Sequence, residues 1–149
     1  MGYRFFFCLF FCLSSSAQAV MPPDFYARLA ENSGVKAIAR VADIEILEKN
    51  RRSTQKRVRF ELIHSMGPPV GEVFYGTCFS VDYSWQQPGE GGTIYFYPVR
   101  GVLVFVTIAA DGGSITSYTP ITEKSAGLFV QNPERIRYGM GRAWLEEIP

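Results

Sequence analysis

Apolar and polar positions alternate along much of this chain, and the pattern changes most sharply over Gly101 to Pro120 (GVLVFVTIAADGGSITSYTP). Val102 to Ala110 is an unbroken apolar, β-branched run bounded by turn residues. It is far shorter than a membrane span, and such a run is how a strand covered on both faces reads. Asp111-Gly112-Gly113-Ser114 supplies a tight reversal, since glycine takes positive φ without steric cost. Beyond it, Ile115, Ser117 and Thr119 alternate with Thr116 and Tyr118, which predicts a returning strand with one solvated face. This central hairpin is the feature around which the other segments pack.

The same alternation places the earlier elements. Lys56 to Ser65 is the cleanest strand, with Val58, Phe60 and Leu62 on one face and Arg57, Arg59 and Glu61 on the other. Val35 to Glu48 is less regular: Ile38, Ala42, Ile44 and Ile46 share parity, Arg40 interrupts them, and Val41 and Leu47 fall opposite. A strand with a β-bulge near Arg40 to Ala42 reconciles the two sets, with a helix over Val35 to Leu47 as the alternative. Lys49 to Gln55 is a polar connection. Met66-Gly67-Pro68-Pro69 breaks the ladder, because proline cannot donate to it. Val70 to Val81 then resumes extended structure with Val73, Tyr75, Thr77 and Phe79 on one face. Asp82 to Gly92 reads as a loop holding Trp85. Thr93 to Val99 reads as a further strand, Tyr95 and Tyr97 on one side and Ile94 and Phe96 on the other.

Helical signals are short. Phe25 to Asn32, with Phe25 and Leu29 four apart and Asp24 as cap, predicts a small helix ended by Asn32-Ser33-Gly34; it could lid a barrel end or stay disordered. Glu123 to Val130, carrying Leu128 and Phe129, predicts a turn of helix. Asn132-Pro133 opens another, with proline at the first helical position. Tyr138-Gly139-Met140-Gly141 reads as a bend, and Arg142 to Ile148 closes the chain with Trp144 and Leu145 available for burial. Five or six strands with short turns predict a mainly β fold, a small closed antiparallel barrel with short flanking helices.

Within that order lies a resemblance. A long strand (Val35–Glu48), a charged hairpin, a second strand (Lys56–Ser65) and the Gly101-Val102-Leu103-Val104-Phe105 strand resemble the netrin-like OB-fold module of the tissue-inhibitor-of-metalloproteinases type, over Val35 to Pro120. The resemblance implies barrel architecture. It does not carry over metalloproteinase inhibition, for which that family places a cysteine at the mature N-terminus and relies on paired cysteines.

The first residues predict targeting rather than fold. Arg4 precedes an apolar stretch, Phe5 to Leu13, and Ala17-Gln18-Ala19 is the small-x-small pattern a signal peptidase accepts. An uncleaved anchor is the competing reading; Phe7 and Phe11 before Cys8 and Cys12 argue against lipidation. Cleavage after Ala19 leaves residues 20–149 as one exported domain, periplasmic or secreted, with no remaining membrane span. Of the 15 basic and 14 acidic residues in the chain, that loses only Arg4. The charges then balance, which argues against a dedicated nucleic-acid or anionic-membrane binder. Only Cys78 remains, so no internal disulfide can form.

Candidate chemistry is sparse. His64 is the one histidine, so a catalytic arrangement must use it, with Cys78 as nucleophile; that gives a small hydrolase or thiol enzyme as the alternative function. The plainer readings are a strand-end histidine on the core-side parity of its strand, bonded to nearby backbone, and a small buried cysteine. Lys49, Arg51, Arg52, Lys56, Arg57 and Arg59 form the one charge cluster, suited to an anionic envelope polymer or a partner's acidic face, or else a solvated hairpin that discourages edge pairing. Trp85, Tyr95 and Tyr97, with Gln86 and Gln87, offer an aromatic recognition surface or core rings with polar tips. Asp43, Glu45 and Glu48 match no calcium loop, and Gly89-Glu90-Gly91-Gly92 lacks the GK[ST] ending of a phosphate cradle. No metal and no cofactor is expected. The expected role is an exported, non-enzymatic domain binding a protein or envelope polymer through Arg51, Arg52, Lys56, Arg57, Trp85, Tyr95 and Tyr97. A structural envelope component is a third possibility.

Overall fold

The fold is seen in a computed structural model that describes residues 21–89 and 91–149; the expected leader and its cleavage site lie outside them. Five strands form one antiparallel sheet: β1 (Val35–Lys49), β2 (Thr54–Ser65), β3 (Val73–Ser80), β4 (Leu103–Ile108) and β5 (Ile115–Pro120), in the order β3-β2-β1-β4-β5. Two short helices, α1 (Pro23–Glu31) and α2 (Glu123–Gln131), flank it, with a 3-10 turn at Pro133–Arg135 and a two-stranded hairpin of β6 (Ile136–Gly139) and β7 (Arg142–Leu145).

The apolar run becomes β4, every residue of which is buried. One face packs Val104, Val106 and Ile108 with Ala37, Ala39, Val58, Phe60, Phe74 and Tyr118. The other packs Leu103 and Phe105 with Ile38 of β1, Phe129 of α2, and Ile136 and Ala143 of the β6–β7 hairpin. Covering by these C-terminal elements is why β4 shows no polar face. The second strand of the hairpin departs from its reading: Ile115 to Tyr118 of β5 are all buried, so no solvated face exists there. The hydroxyls that suggested one are satisfied internally. Thr107 Oγ1 lies 2.7 Å from Thr116 Oγ1 and 2.6 Å from Ser117 Oγ, and Ser33 Oγ lies 2.6 Å from Thr116 Oγ1. A register shift at Thr107/Ile108 makes Thr116 the extra residue and brings both neighbours onto Thr107.

β1 is a strand, not a helix, and its bulge falls where the pattern required it. Val41 pairs with Phe60 and Asp43 with Arg59, leaving Ala42 extra; further shifts make Leu47 extra on β1 and Ile63 extra on β2. Past Val41, β1 pairs only with β2, and that half of β2 pairs in turn with β3, from Thr54 opposite Ser80 to Glu61 opposite Val73.

Other expectations are corrected. The segment 93–99 is not a regular strand: Tyr95 makes a single parallel bridge to Phe79, and Pro98 has no N–H to extend it. Asp24 is not the cap of α1; Pro22 holds that position without a side-chain bond, and Asp24 sits in the first turn, where the helix dipole favours it. Tyr26 and Ala30, rather than Leu29, are that helix's buried residues. The 138–141 bend turns a hairpin, with Met140 and Gly141 at φ 49° and 78°, the primed geometry that matches strand twist. Trp144 on β7 is half exposed, because Ala143 takes the inward position. Among the described residues no helix is long and apolar enough to cross a membrane.

Candidate binding surface

The tip of the β1–β2 hairpin is fixed by its own asparagine. Asn50 Oδ1 accepts from the N–H groups of Arg52 (2.8 Å) and Ser53 (3.0 Å), a turn that holds Arg51 and Arg52 outward. Against this tip lies the loop after β3. Gln86 is its strut, 5 % exposed: Oε1 accepts from Asp82 N (2.9 Å) and Tyr83 N (3.3 Å), while Nε2 donates to Asn50 O (3.1 Å) and Thr54 Oγ1 (3.0 Å). Gln87 N adds a bond to Arg51 O at 2.7 Å. The loop thereby becomes an extension of the hairpin.

That clamp arranges three groups at the surface, Tyr83 half-buried between exposed Lys49 and Trp85. Lys49 Nζ lies 4.9 Å over the Tyr83 ring, and Tyr83 stacks on Trp85 at 5.4 Å with 18° between planes. Trp85 keeps 55 % of its surface exposed. A cation over one face of an aromatic pair is favourable, and the indole stays exposed on the loop that Gln87 ties to Arg51. The two regions that the sequence presents separately, the basic hairpin and the Trp85 segment, are thus one surface.

Not every basic residue belongs to it. Lys56 turns inward opposite Cys78 and pairs with Asp82 at 2.8 Å, both side chains largely buried. Burial raises the Asp82 carboxyl, but the bonds and charges of Lys56, with Lys49 and Ser80 nearby, outweigh it and hold the group below its ordinary value. Ser80 Oγ is close enough to contribute yet meets no hydrogen-bond geometry. Lys56 is therefore a structural cation, contrary to its expected place on the contact face. Arg57, on the sheet's outer face, is engaged by Glu45 (Nη2 2.5 Å, Nε 3.1 Å) and lies 5.8 Å from the Tyr75 ring. Asp43 pairs with Arg100 at 2.5 Å. These carboxylates are partners of arginines, and no cluster of three or more metal-ligating side chains occurs among the described residues.

Tyr95 joins Arg52 across a small cleft of about 140 Å³, with Ser53, Phe79, Gly89 and Thr93 as its other walls. Tyr97, more than half exposed, faces a separate cleft with Tyr118, Met140 and Arg142. Tyr83, Phe79 and Ser53 carry no sequence signal of a site; only their nearness to the basic hairpin in the fold assigns them.

The alternative pair is not assembled. His64 lies opposite Ile38 and is exposed, because the Ile63 bulge inverts the parity that pointed it inward. Cys78 lies opposite Lys56, eight positions down β2 from His64, which at strand rise is roughly 26 Å. The thiol is buried and pushed up to about 11 by burial, with Asp82 adding and Lys56 subtracting. A thiol held protonated and out of reach of the histidine is no nucleophile–base pair. Comparison of the chain with protein-family models, curated proteins and solved structures gave no significant match.

Proposed function

We propose that the chain is an exported β domain that binds an anionic polymer or the acidic face of a protein, through the hairpin tip and the loop clamped to it. The observation that carries this is the Lys49–Tyr83–Trp85 stack with its exposed indole, held by Gln86. A large aromatic surface fixed before binding loses little side-chain entropy on association, and adjacent arginines give it charge preference. The exposed Arg51 and Arg52 supply the charge; Lys56 braces the loop through Asp82, and Arg57 stays paired with Glu45 on the outer face.

The barrel reading belongs to the same proposal. Thr77 of β3 bridges Ser114 in parallel, and Thr77 N donates to Gly113 O at 2.8 Å, so the two edges of the sheet meet just before β5. Closing the ring there gives a five-stranded, partly open barrel of the OB type, in which hairpin loops carry the ligand, in keeping with the netrin-like resemblance over Val35 to Pro120. Export rests on the leader pattern.

Retention on a heparin column tests the binding role. The wild-type protein should elute at clearly higher salt than an Arg51→Gln/Arg52→Gln variant, and Trp85→Ala should also elute early, since phosphate or sulfate contacts weaken as salt rises. Identical elution of all three would remove the basis for the reading.

A further inference from the structure

We infer that the cleft beside the hairpin tip receives a single acidic sugar unit, a uronate, of the polymer that the surface binds; this rests on the binding role proposed above. The chemistry of the cleft walls carries it. Phe79 and Tyr95 are set side by side by the parallel bridge between them and by the bond from Phe96 N to Phe79 O (2.8 Å). Phe79 leaves 40 % of its surface uncovered and Tyr95 is half-buried. An electron-rich ring face suits the weakly positive C–H face of a pyranose. Arg52 enters from the hairpin tip with a planar fork of donors matched to a carboxylate.

Ser53 and Thr93 also line the cleft, and hydroxyls of this kind can each donate or accept and so match ring hydroxyls of either sense. The volume, about 140 Å³, lies well under the several hundred Å³ of a pocket that swallows a whole ligand. One ring fits, and the rest of the chain must run over the surface toward the exposed arginines. An acidic polypeptide would satisfy Arg52 but offers no polyhydroxylated ring to the aromatic floor or to Ser53 and Thr93. A Cβ added at Gly89 would stand 3.8 Å from Nε and Cζ of Arg52, so the glycine lies close beside the guanidinium.

Isothermal titration of the purified protein with three probes of matched length tests this: an oligogalacturonate, neutral maltohexaose and poly-L-glutamate. The oligogalacturonate should bind at least about tenfold tighter than maltohexaose, a factor in line with one charge-assisted hydrogen bond to Arg52, and about tenfold tighter than poly-L-glutamate, which lacks the sugar ring that meets Phe79 and Tyr95. Arg52→Gln should cost about tenfold for that probe, and Phe79→Leu several-fold, with unchanged thermal unfolding as the check on folding. Equal binding of oligogalacturonate and poly-L-glutamate would overturn the sugar site while leaving the anion-binding role standing. Binding of neither anion would overturn both. Tight oligogalacturonate binding insensitive to Arg52→Gln and Phe79→Leu would place the sugar elsewhere and overturn this cleft as its site.

Discussion

Replacing Gln86 by alanine should both destabilise the domain and take the binding surface apart. The buried amide makes four hydrogen bonds, two to the loop's own N–H groups and two to the hairpin. Each is worth about 1 kcal/mol net, and an acceptor or donor left buried without a partner costs about 1–3 kcal/mol. Water can reach the partly buried Asp82 and Tyr83 amides and Asn50 O once the side chain is gone, whereas fully buried Thr54 stays shielded. The expected loss is therefore about 2–4 kcal/mol, below the sum of four full penalties. Urea unfolding followed by circular dichroism should show it as a midpoint lowered by roughly 1–2 M, with the slope unchanged. Native-state exchange of the Asp82 and Tyr83 amides should accelerate in step, because their acceptor is Gln86 Oε1. Gln86→Glu keeps an acceptor for those two N–H groups and for the Thr54 hydroxyl but loses the donor to Asn50 O, so exchange of the Asp82 and Tyr83 amides should stay slower than in the alanine variant. A midpoint within about 0.3 M of wild type, or unchanged exchange of both amides, would refute the strut assignment.

Other consequences follow from single groups. Asp82 has its folded pKa lowered from 3.8, so its contribution is present above that value and is lost as pH falls through the lower folded pKa. Urea midpoints should thus decline below about pH 4, and Asp82→Asn should flatten that part of the profile; an unaltered acid limb would contradict the Lys56–Asp82 pairing. The Cys78 thiol, pushed up to about 11, should resist Ellman's reagent at neutral pH until the protein is unfolded; rapid stoichiometric labelling of the native chain would contradict its burial. Gly141→Ala puts a Cβ at φ 78° within 2.8 Å of Ile94 Cγ2 and 2.9 Å of Phe96 Cε1, and should cost about 2–4 kcal/mol. Gly127→Ala on α2 meets nothing within 4 Å and should instead gain about 0.5–1 kcal/mol. Urea denaturation of the two variants separates them in sign.

What is legible in the sequence is what depends on short-range pattern. The Val102–Ala110 run, the glycine reversal after it and the Ala42 bulge each announce themselves by spacing. What fails depends on a partner the pattern cannot name. Thr116 and Ser117 look like a wet face until Thr107 and Ser33 are seen to hold their hydroxyls. His64 looks core-facing until the Ile63 bulge on its own strand shifts parity. β6 and β7 are four residues each, too short for alternation to register, so their turn passes for a bend. The same limit governs the binding surface. Arg51, Arg52 and Trp85 are visible as residue types, but joining them needs Gln86, a side chain whose value lies in four bonds spanning Asn50 to Tyr83. Lys56 is misplaced for the converse reason: on β2 it shares the inward side with Val58, and only Asp82, from beyond β3, gives it a partner there.

The union of hairpin tip and clamped loop into one anion-binding face is tested most directly by amide chemical-shift mapping during titration with oligogalacturonate, at about 50 and 200 mM salt. Shifts should concentrate on Lys49 to Ser53 and Tyr83 to Gln87, reach Tyr95, and shrink at the higher salt. Shifts centred on Leu128 and Trp144 in the groove between α2 and β7, or indifferent to salt, would contradict it.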